Sequence, residues 1–275
     1  MSESFAAFQR LLPQHGLSRL AGRLAKSESA RLSRLLIRTF ARHYRVDMGD
    51  AAEPSLDGYR SFNDFFTRAL REGTRPLDAD PAALLCPADG TISQAGRIDG
   101  DRLLQAKGTS YSLRALTGED CREFHGGSFA TVYLAPRDYH RVHLPLAGTL
   151  RRTRAIPGAL FSVNARTEAA ISDLFCRNER LVCRFETAAG AMLVVLVGAL
   201  IVASIETVWD EAPSPYRRST SRAWEVSFPR GAEIGRFLLG STVIVCCEPD
   251  RVVLEPSLCH GEPVRVGQRL GTVRA

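Results

Sequence analysis

The stretch of sequence that decides the fold runs from Thr187 to Ile205 and reads TAAGAMLVVLVGALIVASI. It is uncharged over about the length of a membrane-spanning helix. Gly190 and Gly198 interrupt it, however, and its Val and Ile residues favour strands over helices. We therefore predict two buried strands, broken near Gly198, rather than a transmembrane helix.

The sequence around this stretch predicts a β-rich body. From Cys86 onward, short runs of Val, Ile and Leu alternate with Gly, Pro and Asp, which is typical of strands joined by turns. Residues 164–178 are the one internal stretch of this body that predicts a helix. With 45% hydrophobic residues over 275 positions, the chain can bury a full core, which excludes a disordered chain.

The cysteines and the N-terminus indicate where the protein works. The 7 Cys include no CxxC pair, so we expect neither a zinc site nor a disulfide framework, and a reducing cytoplasm fits best. The N-terminus lacks a charged start followed by an unbroken apolar stretch and a small-residue cleavage site. We therefore expect no secretion.

The first 45 residues predict amphipathic helices, because apolar residues recur at helical spacing beside a basic stripe. The apolar set is Leu17, Leu20, Leu24, Leu32, Leu35, Leu36 and Phe40, and the stripe is Arg31, Arg34, Arg38 and Arg42. This region holds nine Lys and Arg against Glu3 and Glu28 alone, a net charge of +7. The pattern fits a helix in a lipid interface and also a solvated helix packed on its own core. No aromatic-interleaved basic patch predicts nucleic-acid binding.

Residues 46–85 form a polar connection with one more predicted helix, from Ser61 to Arg71. Ser61 is expected to cap this helix. Its expected buried face consists of Phe62, Phe65, Phe66 and Leu70. The chain as a whole thus predicts an α+β fold, in which N-terminal amphipathic helices precede a β-rich, mostly antiparallel core.

Three segments carry residues with chemical potential. His140 and His143 lie three apart, and imidazole is the side chain best suited to moving protons near neutral pH. Such a pair also fits a metal site, although no further ligands are evident, and a structural role fits it as well. Asp89 lies in an ordinary turn, and Ser241 follows Gly240 at the start of an apolar run without the GxSxG pattern of a nucleophile elbow.

These segments belong to a longer ordered series. The series comprises Phe62-Asn63-Asp64-Phe65-Phe66 with Arg75-Pro76, Pro87-Ala88-Asp89-Gly90, Lys107-Gly108 with Tyr111-Ser112-Leu113, Tyr139 to His143, Phe161-Ser162-Val163-Asn164, Asn178-Glu179-Arg180, Glu206-Thr207-Val208-Trp209 and Leu239-Gly240-Ser241-Thr242. In this order it resembles the bacterial phosphatidylserine decarboxylase family across nearly the whole chain.

The resemblance implies a proenzyme that cuts itself between Gly240 and Ser241. The products would be a long β chain, residues 1–240, and a short α chain, residues 241–275. Residues 1–45 would form a membrane-association region, and residues 46–275 would form the decarboxylase catalytic domain.

The resemblance also implies a role for each candidate residue. Ser241 would attack the carbonyl of Gly240 and end as a covalent pyruvoyl group, the cofactor of the family. His143 would be the base for this attack, with Asp89 orienting it. His140 would act later, in the decarboxylation, as a proton donor or a phosphate contact.

The implied substrate is phosphatidylserine. Its amine would form a Schiff base with the pyruvoyl carbonyl, which accepts the electron pair released with CO₂, so that no diffusible cofactor or metal is needed. Because this substrate lies in a bilayer, the resemblance favours the interfacial role for residues 1–45. It further implies a homodimer that binds anionic lipid peripherally, at the cytoplasmic face of the bacterial inner membrane.

Two other functions stay open at this point. One is a membrane-associated serine hydrolase that uses Ser241, His143 and Asp89 on an external ester. The other is a non-catalytic binding module, because residues 264–271 resemble the Gly-turned hairpin of biotinyl and lipoyl domains. Those domains present a modified Lys, whereas no Lys follows Lys107 in this chain.

Overall fold

The computed structural model of the chain describes residues 14–106, 108–199, 205–210, 216–238 and 241–274. Its first two helices are α1 (Gln14–Lys26) and α2 (Ala30–Tyr44). Helix α2 buries Ser33, Ile37 and Ala41, which recur every four residues along one face. The amphipathic helices predicted for this region are therefore confirmed over its described part.

Helix α3 (Phe62–Phe66) begins where the sequence predicts and ends early. The Ser61 hydroxyl accepts a hydrogen bond from the Asp64 N–H at 3.2 Å, so the predicted cap is confirmed. All three Phe side chains of the helix are buried. The predicted extension to Arg71 is wrong, because the backbone N–H of Arg71 donates to the Asp50 carbonyl at 2.9 Å and not to a carbonyl four residues earlier in a helix.

The body of the chain consists of strands with short helices between them. The strands are β1 (Ala83–Leu85), β2 (Gly90–Arg97), β3 (Arg102–Ala106), β4 (Thr109–Ser112), β5 (Ser128–Leu134), β6 (Arg141–His143), β7 (Gly148–Ile156), β8 (Arg180–Thr187), β9 (Gly190–Val197), β10 (Ile205–Thr207), β11 (Thr220–Phe228), β12 (Glu233–Phe237), β13 (Ser241–Cys247), β14 (Val252–Leu254), β15 (Pro263–Val264) and β16 (Arg269–Val273). The helices are α4 (Leu113–Thr117), α5 (Ala165–Glu168) and α6 (Leu174–Arg177), with 3₁₀ turns at Leu56–Gly58 and Arg122–Phe124.

Eight strands form the main sheet, in the order β11-β7-β8-β9-β13-β5-β2-β15. Smaller sheets have the orders β1-β16-β14, β10-β12-β6 and β3-β4. Each strand pairs with its neighbours in antiparallel fashion, so the α+β class with a mostly antiparallel core is confirmed.

Strand β13 runs through the centre of the main sheet, between β9 and β5. Its side chains enter two cores alternately, with Val243 and Val245 on one face and Ile244 and Cys246 on the other. Because both faces are covered, the strand is apolar from Val243 to Cys247 and shows no polar alternation.

The stretch that decides the fold forms a strand over its first half. Strand β9 ends at Val197, directly before Gly198, so the predicted break is confirmed. The second predicted strand covers residues 200–204, which lie outside the described residues, and Ile205, which begins β10. Over the described ranges, no helix is long and apolar enough to cross a membrane.

The helix predicted over residues 164–178 is interrupted. Asp173 has a left-handed backbone, with φ of 57°, and separates α5 from α6. The Gln105 side chain bridges the gap, because its Nε2 donates to the carbonyls of Glu168 and Ile171, each at 2.8 Å. These bonds satisfy carbonyls that a continuous helix would have paired within itself.

Residues 264–271 differ from the predicted hairpin. Gly267 turns the chain with φ of 84°, but β15 pairs with β2, whereas β16 pairs with β1 and β14. The two strands therefore belong to different sheets, and the likeness to biotinyl and lipoyl hairpins ends at the turn.

Candidate active site

A largely apolar groove of about 570 Å³ lies between the N-terminal helices and the main sheet. Leu24 of α1, Phe40 of α2 and Phe66 of α3 contribute to its helical wall. Leu134 and Ser241 contribute to the wall that the sheet forms. The groove thus brings the candidate nucleophile beside the helices for which the sequence predicts membrane association.

Ser241 is the first residue of β13 and pairs with Leu134 of β5. The residue is buried at the groove wall, and its hydroxyl has no hydrogen-bond partner among the described residues. A buried hydroxyl without a partner costs about 1–3 kcal/mol. The Thr131 and Thr242 hydroxyls share this feature, so the position of Ser241 at the groove wall is what marks it as the candidate. Gly240, the other half of the predicted cleavage site, lies outside the described residues.

Asp89 is bound by an arginine. Arg75 Nε donates to both carboxylate oxygens at 3.0 Å, and Nη2 donates to Oδ2 at 2.6 Å. The Val266 N–H adds a bond of 2.9 Å to Oδ1. Arg75 Nη1 also bonds to Asp50, and the hydrogen bonds to Asp89 and Asp50 raise the pKa of Arg75 above its ordinary value. Asp89 is therefore held by partners other than His143.

His143 lies on β6 with both ring nitrogens engaged. Nδ1 is 2.8 Å from the Gly231 carbonyl oxygen, and Nε2 is 3.0 Å from the Tyr139 hydroxyl. Because a carbonyl only accepts, Nδ1 carries the proton and Nε2 accepts from Tyr139. Burial lowers the pKa of His143, although the Gly231 carbonyl and the charge of Glu233 oppose this. The ring is neutral near pH 7, with its lone pair on Nε2, as a general base requires.

The predicted triad is not joined by hydrogen bonds. Within the described ranges, no bond links Asp89 to His143, and none links His143 to Ser241. The backbone N–H of His143 donates at 2.8 Å to the carbonyl of Pro87, two residues before Asp89. Burial lowers the pKa of His143, whereas the charge of Asp89 raises it. Asp89 and His143 therefore share one neighbourhood, and Ser241 borders the groove.

His140 is fully buried, and its ring stacks on Phe66 with centroids 4.0 Å apart and planes at 20°. Neither ring nitrogen makes a hydrogen bond of ordinary geometry with the described residues, although the backbone carbonyls of Pro136 and Ala135 lie near the ring and act to raise its pKa. Burial, followed by the charge of Arg68, lowers the pKa of His140 to about 3, so the ring is neutral near pH 7. The backbone carbonyl of His140 accepts a hydrogen bond of 2.9 Å from the backbone N–H of Phe237. Phe237 is the last residue of β12, the strand that precedes Ser241.

Three residues at the site have roles that sequence patterns do not predict: Arg75, Tyr139 and Arg68. Arg75 and Tyr139 stand in segments that resemble the family, which is the one signal that points to them. Arg75 bonds to Asp89, which is 14 residues away in the sequence. Arg68 bonds to backbone carbonyls that are 69 and 70 residues away. Such separations follow from the tertiary fold, so no helix or strand period reveals them.

A family model described as phosphatidylserine decarboxylase matches residues 62–272, which is most of the chain. The chain belongs to the phosphatidylserine decarboxylase family. A second model, described as PSD, matches residues 4–45. Among relatives, the phosphatidylserine decarboxylase proenzyme of Ectopseudomonas mendocina is 52% identical over 98% of each chain. The proenzymes of the same name from Methylococcus capsulatus and Pseudomonas aeruginosa are 50% and 52% identical, over 98% and 97% of this chain and 96% of each relative.

Membership in the phosphatidylserine decarboxylase family identifies the chain as an enzyme, so the non-catalytic binding module is wrong. The match between the chain and the phosphatidylserine decarboxylase model includes Asp89, His140, His143 and Ser241. None of the three relatives carries the name of a serine hydrolase.

Proposed function

We propose that this chain is a precursor that cuts itself between Gly240 and Ser241. With a pyruvoyl group made from Ser241, it then decarboxylates phosphatidylserine to phosphatidylethanolamine. The observation that carries the proposal is the Ser241 hydroxyl, which is buried, unpartnered among the described residues and located at the wall of an apolar groove. The names of the relatives, which are proenzymes of this decarboxylase, support the proposal.

The surroundings of Ser241 suit a side chain that is chemically consumed. Loss of its hydroxyl leaves no described protein group without a partner, because the hydroxyl has none. The rest of β13 is held by ladders to β5 and β9, so the strand keeps its place when the bond before Ser241 breaks. The residues present therefore fit a pyruvoyl group at position 241.

The proposed cleavage has three chemical steps. Ser241 Oγ, after losing its proton to a base, attacks the Gly240 carbonyl carbon, and the peptide C–N bond breaks to give an ester and a free amine. Removal of the Ser241 α-proton then breaks the Cβ–Oγ bond, which releases the Gly240 carboxylate and leaves dehydroalanine. Tautomerisation to an imine and addition of water release ammonia and leave the pyruvoyl group.

His143 is the base for the first step in this proposal. Its neutral ring holds a lone pair on Nε2, and the Gly231 carbonyl fixes the proton on Nδ1. Nε2 has to exchange the Tyr139 hydroxyl for that of Ser241 before the proton moves. Asp89 supplies a fixed negative charge nearby, which stabilises the imidazolium that forms.

A pyruvoyl group at position 241 supplies a conjugated electron sink for the pair left when CO₂ departs. The chain supplies the surroundings of this chemistry. Its apolar groove suits acyl chains and keeps water away from position 241. His140 has its pKa held at about 3 by burial, so it is suited to donate a hydrogen bond to a substrate oxyanion and not to act as a cationic acid.

Helices α1 and α2 form the membrane-contact region in this proposal. Leu20 and Leu35 are 56% and 64% exposed, so the two helices leave part of their apolar surface uncovered. Arg31 and Arg42 are exposed at helical spacing from Leu35. A helix of this kind inserts its apolar side chains into a bilayer and places its arginines on lipid phosphates. Peripheral binding at the cytoplasmic face of the bacterial inner membrane is part of the proposal.

Mass spectrometry of the purified protein tests the cleavage. We expect two fragments, residues 1–240 and residues 241–275, the second beginning with a ketone and lacking an α-amine. Ser241→Ala is expected to remain one chain. Thr242→Val is the matched control, because the Thr242 hydroxyl is also buried and has no partner in the described part of the chain, but it is not at the scissile bond. An intact wild-type chain that hydrolyses an ester with Ser241 would contradict the proposal and favour a serine hydrolase.

Release of labelled CO₂ from phosphatidylserine vesicles tests the decarboxylation. Wild-type protein is expected to release it, and Ser241→Ala is not. Asp89→Asn and His143→Ala are expected to stay uncut, whereas His140→Ala is expected to cut but to release CO₂ slowly. No release from fully cleaved wild-type protein would reject decarboxylation, and normal cleavage of His143→Ala would reject the assigned base.

A further inference from the structure

Arg68, which follows α3, is a buried cation with open donors. The residue is 5% exposed. Its Nη2 donates to the carbonyl oxygens of Arg137 and Asp138 at 3.0 and 3.3 Å, but Nε and Nη1 have no hydrogen-bond partner among the described residues. The Phe65 ring, whose centroid is 5.7 Å from Arg68 Cζ, stabilises the charge but accepts none of these hydrogen bonds, so the open donors stay costly unless an anion joins them. The structure therefore calls for an anion at Arg68.

The carboxylates whose charges act on Arg68 have other partners. Asp138 Oδ2 accepts a backbone N–H at 2.6 Å, and its Oδ1 is 3.9 Å from Arg137 Nε. Asp89 is bound by the arginine described above, and Asp47 accepts a backbone N–H at 2.8 Å. None of these acids makes a hydrogen bond or an ion pair with Arg68 in the described structure. No carboxylate of the described ranges therefore supplies the anion that Arg68 lacks, and a ligand can supply it.

A second group with open hydrogen-bonding atoms lies close by. His140 is fully buried, and its ring nitrogens make no hydrogen bond of ordinary geometry with the described residues, although the Pro136 and Ala135 backbone carbonyls lie near enough to raise its pKa. Its ring stacks on Phe66, which lines the groove that also borders Ser241. Arg68 follows Phe66 by two residues and binds the loop that leads directly into His140. Arg68 and His140 thus form one polar cluster behind the apolar groove.

We propose that Arg68 binds the anionic headgroup of the phospholipid substrate, either its carboxylate or its phosphate, with His140 as a second hydrogen-bond donor. The inference rests on the function proposed above. Arginine suits this task because its charge persists at every relevant pH and its donors match oxyanion acceptors. The acyl chains would then occupy the groove while the headgroup reaches the cluster beside Phe66.

Steady-state kinetics of the full-length protein test this role. Arg68→Gln and Arg68→Lys are first checked for cleavage by mass and then assayed with water-soluble dihexanoyl phosphatidylserine, so that membrane binding does not contribute. We expect Arg68→Gln to raise KM at least about tenfold, as for a lost charge-assisted hydrogen bond, with kcat changed less than threefold. Arg68→Lys is expected to restore part of the affinity. Arg71→Gln is the control, since Arg71 is exposed and its side chain bonds, within the described ranges, to the Gly49 carbonyl alone.

Inhibition by dihexanoyl phosphatidylethanolamine separates the two anionic sources. This product keeps the phosphate and lacks the carboxylate. If Arg68 binds the phosphate, Arg68→Gln weakens product inhibition as much as it raises KM. If Arg68 binds the carboxylate, KM rises and product inhibition stays as in the wild type.

An Arg68→Gln enzyme that is cleaved and has wild-type KM would overturn the inference. Should the variants fail to cleave, binding of dihexanoyl phosphatidylserine to uncut Ser241→Ala protein is compared with and without Arg68→Lys, and equal affinities would likewise overturn it. Failure of the proposed function looks different, because then the wild-type enzyme itself releases no CO₂ from this substrate.

Discussion

Arg75 binds Asp89 through three hydrogen bonds of 2.6 to 3.0 Å, and the two side chains are only 13% and 11% exposed. The family resemblance pairs Asp89 with His143, yet the arginine decides where the carboxylate lies. The backbone N–H of Val266 supports the same position. Asp89 acts on His143 through its charge and its fixed place, without a direct hydrogen bond between them.

Breaking this pair is expected to destabilise the protein. Arg75→Gln leaves the buried Asp89 carboxylate without its counter-charge, which costs about 3 kcal/mol in the free energy of unfolding. Urea unfolding in a Ser241→Ala background, where every chain is uncut, measures it. Arg122→Gln is the control, because Arg122 pairs with Asp120 at the surface and is 83% exposed; a change within about 0.5 kcal/mol is expected there. Equal effects of the two variants would contradict the finding.

The rate of self-cleavage is expected to follow the neutral form of His143. Burial lowers the pKa of His143 below its ordinary 6.5. The base is unprotonated above its pKa, so the rate rises with pH and reaches half its plateau below pH 6.5. Pulse-labelled precursor, made by cell-free translation and moved to buffers of different pH, gives the profile on a gel. A midpoint above 6.5 would argue against His143 as the base.

Tyr139→Phe is expected to shift the pH dependence of the self-cleavage rate. The Tyr139 hydroxyl donates to Nε2 of His143 and so stabilises the neutral ring. Without this bond, the pKa of His143 rises, the midpoint shifts to higher pH, and the plateau rate changes by no more than about tenfold. The same pulse-label assay measures the shift. A complete block of cleavage at high pH would show instead that the tyrosine itself carries the proton.

His140 is expected to make stability depend on pH. Burial lowers its pKa from 6.5 to about 3 in the folded protein, so between these values the unfolded chain binds a proton that the folded chain does not. The contribution is complete above pH 6.5 and is lost as the pH falls toward 3, with a slope of at most about 1.4 kcal/mol per pH unit.

Urea unfolding of Ser241→Ala protein over this pH range, with and without His140→Gln, measures the slope. The variant is expected to give the flatter curve. Burial raises the pKa of Asp138 to about 6, which acts in the opposite direction but is common to both proteins. Parallel curves would mean that His140 is protonated in the folded protein.

Leu35→Gln is expected to weaken binding to anionic vesicles about tenfold, because one inserted leucine contributes about 1.5–3 kcal/mol. Flotation with phosphatidylserine-containing vesicles measures it. Leu104→Gln is the control, since Leu104 is also exposed but lies on β3, away from the helices. A point variant is preferable to deletion of residues 1–45, because the helices also form a wall of the groove. Equal flotation of both variants would contradict the proposed membrane contact.

Local patterns in the sequence predict the elements well and their contacts poorly. The cap at Ser61 and the strand that ends before Gly198 depend on neighbouring residues, and both are confirmed. The helix predicted up to Arg71 fails because its last residues bond to a distant segment of chain. The helix predicted over residues 164–178 is interrupted at the left-handed Asp173, and Gln105 of β3 satisfies carbonyls that the break leaves open.

At the candidate site too, the sequence identifies the residues but not their contacts. Asp89, His140, His143 and Ser241 can be named from the sequence because the family resemblance carries them. Their hydrogen-bond partners cannot, because these depend on antiparallel pairing that joins distant segments, as when β13 brings Ser241 opposite Leu134. The exposed Leu35 shows a further limit, since helical spacing does not tell which part of an apolar face stays uncovered.

The central position of β13 has a consequence for the lifetime of the enzyme. After the proposed cut, the short fragment supplies the interior strand β13 and the edge strand β15 of the main sheet. It also supplies β16 and β14, two of the three strands of the β1-β16-β14 sheet. The fold forms in one uncut chain but afterwards consists of two chains. A molecule that unfolds after the cut must therefore rebuild both sheets from two separate chains. The working life of each molecule is therefore governed by how slowly it first opens, and not by an equilibrium to which it can return.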